Sequence, residues 1–276
     1  MAFFKVNSVS TLLKLPSFLV KLFVNFGYQP DPPDSRDYSF SDSPLNQNTN
    51  LNEISIKQYF KEVSNQYSVG SCVANGTADA CEAMVALKKN VDPSQVPDLS
   101  RLFIYWNARN NDLPPTTGKD GGSKIRFAFD SIKRWGVCKE STWTYDTSKV
   151  NTQPGWLCYK EAIQNKITAF YRIDTHGEEK IQQIKNALAK NNPTVFGIPV
   201  TNSFRRCNSD TVIRIPSNPM DPYIGGHCMI ITGYSGQREC FEVRNSWSEN
   251  WGVKGYCYMH QDYIEGLGSD LWIPTI

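Results

Sequence analysis

Three short stretches of the chain carry side chains suited to covalent chemistry, in the order Cys, His, Asn. The first is Asn65-Gln66-Tyr67-Ser68-Val69-Gly70-Ser71-Cys72, a thiol just past a glycine turn and at the mouth of a helical stretch. A cysteine there faces the positive end of the helix dipole, which favours the thiolate and lowers its pKa. The second is Gly225-Gly226-His227-Cys228-Met229-Ile230-Ile231-Thr232, a lone histidine entering an apolar strand. The third is Asn245-Ser246-Trp247, with Trp251-Gly252 close behind. Each has a bland reading: core cysteine, hydrogen-bonded core histidine, turn with a packed indole. Together they hold the parts that thiol acyl transfer needs. Cys72 attacks, His227 shuttles the proton, and the Asn245 amide oxygen orients the imidazole. Gln66, six residues before Cys72, adds an amide donor toward a developing oxyanion beside the Cys72 N–H.

The elements that must position these groups follow from periodicity. Ala, Val, Met and Leu at helical spacing predict one long, largely buried helix over 71–88, so Cys72 sits in its first turn. Further helices are expected over 100–106, 123–135 and 178–191, the last stopped by Asn192-Pro193. The period then changes to strands at 194–200, 227–234, 240–244 and 255–259. Helices first and strands later make the chain α+β, with a helical half and a β half. The 276 residues, 20% charged and 40% apolar, allow one large domain or two sharing an interface. A net charge of +2 gives no general case for binding nucleic acid. With a mean hydropathy of −0.44 and no uncharged 18-residue apolar run, no spanning helix is expected. Nucleotide-phosphate loops (GxxxxGK[ST], GxGxxG) and clustered Cys/His spacings are lacking, so neither a cofactor nor a metal is expected. The sequon Asn75-Gly76-Thr77 falls inside the buried helix and should carry no glycan.

With these residues in place, the chain resembles the papain-like cysteine peptidases from about Asn65 to Pro274. The spacing from Gln66 to Cys72, His227, Asn245-Ser246-Trp247 and Trp251 all match. The closest likeness is to divergent bacterial-type members, through Ser100–Arg109, Gly136–Trp143 and Ser269–Trp272. The resemblance implies a helical left domain carrying the cysteine and a β-barrel right domain carrying His227 and Asn245, with the cleft between them. The expected boundaries are an N-terminal arm at 1–50, the left domain at 51–165 and the right domain at 166–276. It also implies that Asp120-Gly121-Gly122-Ser123 supplies the strip that pairs with an extended peptide, and that Trp247 shields the His–Asn pair. A pocket for the second residue before the scissile bond would be lined by Ser123, Gly197 and Cys228, with Asp270 at its floor. A carboxylate there would favour Arg or Lys; alternatively Asp270 braces the C-terminal turn. The implied partners are peptide or protein substrates. A peptidyl transferase of the same chemistry, and a non-catalytic binding protein, remain as alternatives.

The chain departs from the family in three places. Val69 and Lys119 stand at both ends of a customary disulfide, Val73 follows the cysteine instead of an aromatic, and Gly226 precedes His227. The family's long helical prosegment, with its interleaved Glu/Arg/Phe/Asn pattern, is not expected in the residues before Gln66. Instead, Leu12 to Phe26 carries an interrupted apolar face, followed by the non-helical Gln29-Pro30-Asp31-Pro32-Pro33. A packing arm, a short self-inhibitory prosegment, and a signal or surface anchor are the readings it allows. The segment 41–52 is expected to be a flexible joint with a processing site, and 202–224 a long loop before His227. Of eight cysteines, Cys72 takes the chemistry. Cys81, Cys228, Cys240 and Cys257 read as core, and Cys138, Cys158 and Cys207 lie where a bridge cannot be assigned. With the customary disulfide lost at both ends, the count leans toward a reducing compartment.

Overall fold

The computed structural model describes residues 26–207 and 210–276. The apolar turns expected over Leu12–Phe26 therefore lie, Phe26 apart, outside the described residues. The helical half is built on α1 (Cys72–Lys89), crossed by α2 (Arg101–Asn110) and α3 (Ile125–Trp135), with the short α4 (Trp156–Ala162) behind them. Helix α1 is buried on nearly every side from Cys72 to Met84. Its small residues make that tolerable: a β-carbon on Gly76 would stand 3.4 Å from the Cys228 sulfur, so strand and helix meet at backbone range. Asn75 is fully buried and donates to the Ser71 carbonyl, which leaves no room for a glycan.

The second half is one eight-stranded sheet. In chain order its strands are β1 (Glu53–Ser55), β2 (Ala169–Ile173), β3 (Thr194–Thr201), β4 (Val212–Ile213), β5 (Tyr223–Ser235), β6 (Cys240–Arg244), β7 (Tyr256–His260) and β8 (Ser269–Thr275). The spatial order is β2-β8-β3-β5-β6-β7-β4, with β1 added to β5. The fold is thus α+β as expected, but the sheet is a curved, unclosed one rather than a complete barrel. Helices α5 (Gly177–Ala189), α6 (Asn202–Arg205) and α7 (Gln261–Leu267) pack on or beside it. Long β5 pairs with β3 along its first part and with β6 along its second. It therefore carries His227 to the sheet's centre, directly beside β6, whose end leads into Asn245.

A buried ion network registers the two halves. Asp79 lies seven residues after Cys72 on α1, two turns along the same face. Its carboxylate accepts from Arg244 Nε at 2.9 Å and from Arg101 Nη2 at 2.7 Å. Burial pushes the Asp79 carboxyl up, but the two guanidiniums outweigh it and hold the pKa below the ordinary value. Arg244 also donates to the carbonyls of Lys61 and Glu62. The helix bearing the thiol and the strand leading to Asn245 are thereby fixed to each other.

Two segments differ from expectation. Helix α3 begins at Ile125 rather than Ser123, because the Ser123 backbone N–H and C=O are both engaged by residues 27 and 29. The segment 41–52 is not a loose joint: Phe40 and Ser43 are buried, Asn46 and Thr49 bond the Asn186 amide, and Gln182 holds the Thr49 carbonyl. The 202–224 connection carries α6 and β4 rather than loop alone.

Candidate active site

Cys72 opens α1, with Ser71 as the flanking residue. The turn before it is fixed at several points. Gln66 is buried, with its N–H on the Ser246 carbonyl, its Oε1 accepting from Ser246 Oγ at 2.6 Å and its Nε2 donating to the Val69 carbonyl at 2.9 Å. An NH2 carries two hydrogens, so one remains for a ligand. Tyr145 ties the same turn, bonding Ser71 Oγ at 2.5 Å and the Gln66 carbonyl at 3.0 Å.

Across the cleft, His227 Nε2 and Asn245 Oδ1 are 2.7 Å apart, and the imidazole stacks on Trp247 with centroids 4.5 Å apart and planes at 26°. Trp247 in turn meets Trp251 edge-on at 5.4 Å, and Phe204 packs on both indoles. The Cys72 thiol lies against the backbone N–H of Cys228, the residue after His227. The structure therefore brings Cys72, His227, Asn245 and Gln66 to one site.

That site is filled by the chain's own N-terminal arm. The Cys72 thiol donates to the Phe26 carbonyl at 2.6 Å, and the Phe26 ring packs against His227 and Trp247. Residues 27–29 pair with the expected strip: Ser123 N–H donates to the Gly27 carbonyl at 2.8 Å, Gln29 N–H to the Ser123 carbonyl at 3.0 Å, and Gln29 Nε2 to the Gly121 carbonyl at 2.5 Å. On the other side Tyr28 N–H donates to the Gly226 carbonyl. Gly27 and Gly122 both need positive φ, and a β-carbon on Gly122 would lie 2.4 Å from the Gly27 carbonyl oxygen. Tyr28 then reaches Asp270, its ring over Gly197. What remains open beside Phe26 is a cavity of ≈ 240 Å³ lined by Phe26, Asn65, Gln66, Tyr67, Arg205 and Trp247.

The covering has an electrostatic consequence. Cys72 and His227 are wholly inaccessible. Burial pushes the Cys72 thiol up to about 12, against smaller opposing pulls from backbone N–H groups. Burial likewise pushes His227 down to about 4, while the Asn245 bond and the Phe26 backbone pull the other way. Under the arm the pair is neutral: thiol and imidazole, not thiolate and imidazolium.

Of the expected pocket residues, Gly197, Ser123 and Asp270 meet the arm, whereas Cys228 puts its sulfur toward α1. Asp270 both braces and binds. Its Oδ1 accepts from Arg172 on β2, and its Oδ2 accepts from Tyr28 and from the Asp31 N–H. Sequence reasoning missed Tyr28, Asp31, Arg126, Arg172, Tyr105 and Tyr145. It also missed the role of Asp120, whose carboxylate accepts the Gly70 N–H (3.0 and 3.1 Å) and the Tyr105 hydroxyl (2.5 Å). The same hydroxyl accepts from Gly122 N–H at 2.9 Å. This clamp joins the two loops flanked by Val69 and Lys119. The only signal for it was that both bridge positions are lost together. Cys72, Cys81, Cys138, Cys158, Cys228, Cys240 and Cys257 are buried thiols.

Among the described residues no group of three or more His, Cys, Asp or Glu side chains could hold a metal, and no helix is long and apolar enough to cross a membrane. The family profile described as papain family cysteine protease matches residues 47–270. An uncharacterized peptidase C1-like protein of Acanthamoeba polyphaga mimivirus is 33% identical over 274 residues, covering 90% of this chain and 86% of its own. A cathepsin L-like proteinase of Fasciola hepatica is 23% identical, and the chain spans 63% of its length. Among solved structures, xylellain, a cysteine protease from Xylella fastidiosa, superposes with a TM-score of 0.76 at 31% identity, over 91% of this chain and 96% of that one. Digestive procathepsin L 3 of Tenebrio molitor shares the fold at TM-score 0.67 and 19% identity, over 94% and 78% of the two chains. The chain belongs to the papain family of cysteine proteases.

Proposed function

We propose that this protein hydrolyses peptide bonds through Cys72, His227 and Asn245, and that its N-terminal arm holds the enzyme shut. The observation that carries the first part is the 2.7 Å His227–Asn245 bond on the strand whose next residue touches the Cys72 thiol. With the cleft open, the helix dipole and a hydrated imidazole favour transfer of the thiol proton to His227. The thiolate attacks the peptide carbonyl carbon. The oxyanion is held by the Cys72 N–H and the remaining Gln66 Nε2 hydrogen. His227 gives its proton to the leaving amine, which departs and leaves an acyl-thioester. His227 then takes a proton from water, the hydroxide attacks the thioester, and the thiol is restored.

Inhibition by the arm is supported by how Phe26 meets the nucleophile. Its carbonyl oxygen accepts the thiol hydrogen at 2.6 Å, and an acceptor in that place favours the protonated sulfur. The test is peptide hydrolysis by the full-length protein and by its Cys72→Ala and Asn245→Ala variants. Cys72→Ala should abolish activity and Asn245→Ala reduce it more mildly; full activity in the Cys72 variant overturns the assignment.

A further inference from the structure

Tyr28 is bound as a ligand would be bound. Its ring stands in a slot made by two glycines: a β-carbon on Gly197 would lie 2.0 Å from Cζ and 2.3 Å from both Cε atoms, and one on Gly226 would lie 2.9 Å from Cδ1. At the end of the slot the hydroxyl donates to Asp270 Oδ2 at 2.6 Å and lies 2.7 Å from Ser269 Oγ. Ser269 Oγ is itself 3.4 Å from the Gly197 carbonyl. Asp270 sits at a φ of 49°, a conformation that non-glycine residues seldom adopt. The slot is thus flat, one aromatic ring deep, and ends in acceptors.

The charge at its floor is already answered. Arg172 Nη2 lies 2.7 Å from Asp270 Oδ1, and Arg126 packs over the same Trp272 ring as Arg172. Arg172 and Arg126 both pair with Asp37 as well, so the cluster carries no unanswered charge. A substrate guanidinium or ammonium entering here would meet a carboxylate that Arg172 already neutralises, whereas a neutral donor needs only the acceptor capacity of Oδ2. When the arm leaves, Oδ2 exchanges the Tyr28 hydroxyl and the Asp31 N–H for water, and an entrant that expels this water without a donor of its own leaves the oxygen unpaired at a cost.

We propose that this pocket selects a phenol: peptides with tyrosine as the second residue before the scissile bond are the preferred substrates, and Asp270 and Ser269 are the specificity-determining residues. The proposal rests on the peptidase reading above and names its substrate class. A site built to bond a hydroxyl rejects the analogue that lacks it, because its own polar groups are then left unpaired. One hydrogen bond to a charged acceptor corresponds to about a 10- to 100-fold preference for Tyr over Phe.

The experiment has two arms, both on the full-length chain. In the first, fluorogenic peptides differing only in Tyr, Phe, Leu or Arg at that residue are compared by kcat/KM. The docked arm lowers every value by the same factor, so the ratios survive it. Tyr should lead Phe by about 10- to 100-fold, and Ser269→Ala and Asp270→Asn should shrink that ratio, whatever common factor they add to all four rates by loosening the arm. Equal rates for Tyr and Phe, or a lead for Arg, overturn the proposal. In the second arm, alkylation of Cys72 by iodoacetamide reports arm release without any hydrolysis. Tyr28→Phe should accelerate labelling about 10-fold, and labelling at the wild-type rate overturns phenol recognition. Faster labelling with no peptide cleaved would support the pocket's preference and refute the peptidase reading.

Discussion

The arm's hold on the thiol can be broken at one atom. Gly27 has a φ of +84°, and a β-carbon there would lie 2.0 Å from the Gly70 carbonyl oxygen and 2.7 Å from the Gly70 Cα. Both neighbours are backbone in the turn before Cys72, so no side chain can swing away. The left-handed conformation costs an alanine about 1–2 kcal/mol, and forcing a methyl into a packed site costs about 1–3 kcal/mol. A combined penalty of about 3 kcal/mol shifts the docking equilibrium about 100-fold toward the open form. Gly27→Ala touches no group assigned to the chemistry. In the docked state Cys72 has no exposed surface and a thiol pKa near 12, so alkylation at neutral pH runs only through the open state. Its rate is then the opening equilibrium constant multiplied by the rate of the open thiol. Iodoacetamide labelling followed by peptide mapping should show Cys72 reacting about 100-fold faster in Gly27→Ala than in the wild type. Gly118→Ala is the control, because a β-carbon there meets nothing within 4 Å. A Cys72 that labels rapidly in the wild type, or at one rate in all three proteins, refutes the occlusion and with it the neutral thiol–imidazole pair.

Three further outcomes follow from buried charge. Arg244→Met leaves Asp79 with one of its two guanidinium partners, and removing one member of such a buried network costs about 3–5 kcal/mol; chemical denaturation should register it, and a loss under 1 kcal/mol would refute the network's role in registering helix and strand. Asp120→Ala strips acceptors from the Gly70 N–H and the Tyr105 hydroxyl, so stability should fall by about 1–3 kcal/mol and kcat with it; an unchanged Tm and kcat would dismiss the clamp. Asp31 is raised to about 7 by burial first and Asp270 second, against Trp272 and Arg126. The docked arm therefore binds more protons there than the free arm. This contribution to docking is full below about pH 4 and lost as pH rises through about 7. His227, pushed down by burial to about 4, acts oppositely, since its protonation below about 6.5 opposes docking. Asp31→Asn should remove the first effect alone, making Cys72 labelling relative to the wild type rise as pH falls from about 6.5 to about 4. A constant ratio across that range would contradict it.

What was legible in the sequence was what local spacing encodes. The start of α1 at Cys72 follows from the glycine turn and the small apolar run, and β5 and β6 follow from alternating and β-branched residues around His227 and before Asn245. What was not legible depends on partners far along the chain. Asp270 admitted a bracing reading and a pocket reading; its bond to Arg172, 98 residues away, supplies the brace, and its bond to Tyr28, 242 residues away, sets an arm side chain against it. The proline-rich stretch after Tyr28 was recognisable as non-helical. Nothing local said that Asp31 would be buried between Arg126, Trp272 and Asp270. The shift of α3 to Ile125 has the same origin. Ser123 is a fair helix-capping residue by type, but its backbone is taken by the arm.

The cleft is assembled by carboxylates that each join two segments: Asp79 links helix to sheet, Asp120 links the turn before Cys72 to the strip at 120–123, and Asp270 links sheet edge to arm. A disulfide between the loops at Val69 and Lys119 would stabilise mainly by restricting the unfolded chain. The Asp120 clamp does nothing to the unfolded chain and acts only once Gly70, Tyr105 and Gly122 are in place. It also needs no oxidant to form. The Asp270 junction differs from the other two in one respect. Asp79 and Asp120 keep all their donors whatever the cleft holds, whereas Asp270 owes two of its three to the arm. Releasing the arm therefore uncovers a carboxylate oxygen that only water then serves. On the reading proposed above, an entrant displaces that water without loss when it carries a donor of matching reach, so the atom that would hold the arm and the atom that would choose the substrate are one, Asp270 Oδ2.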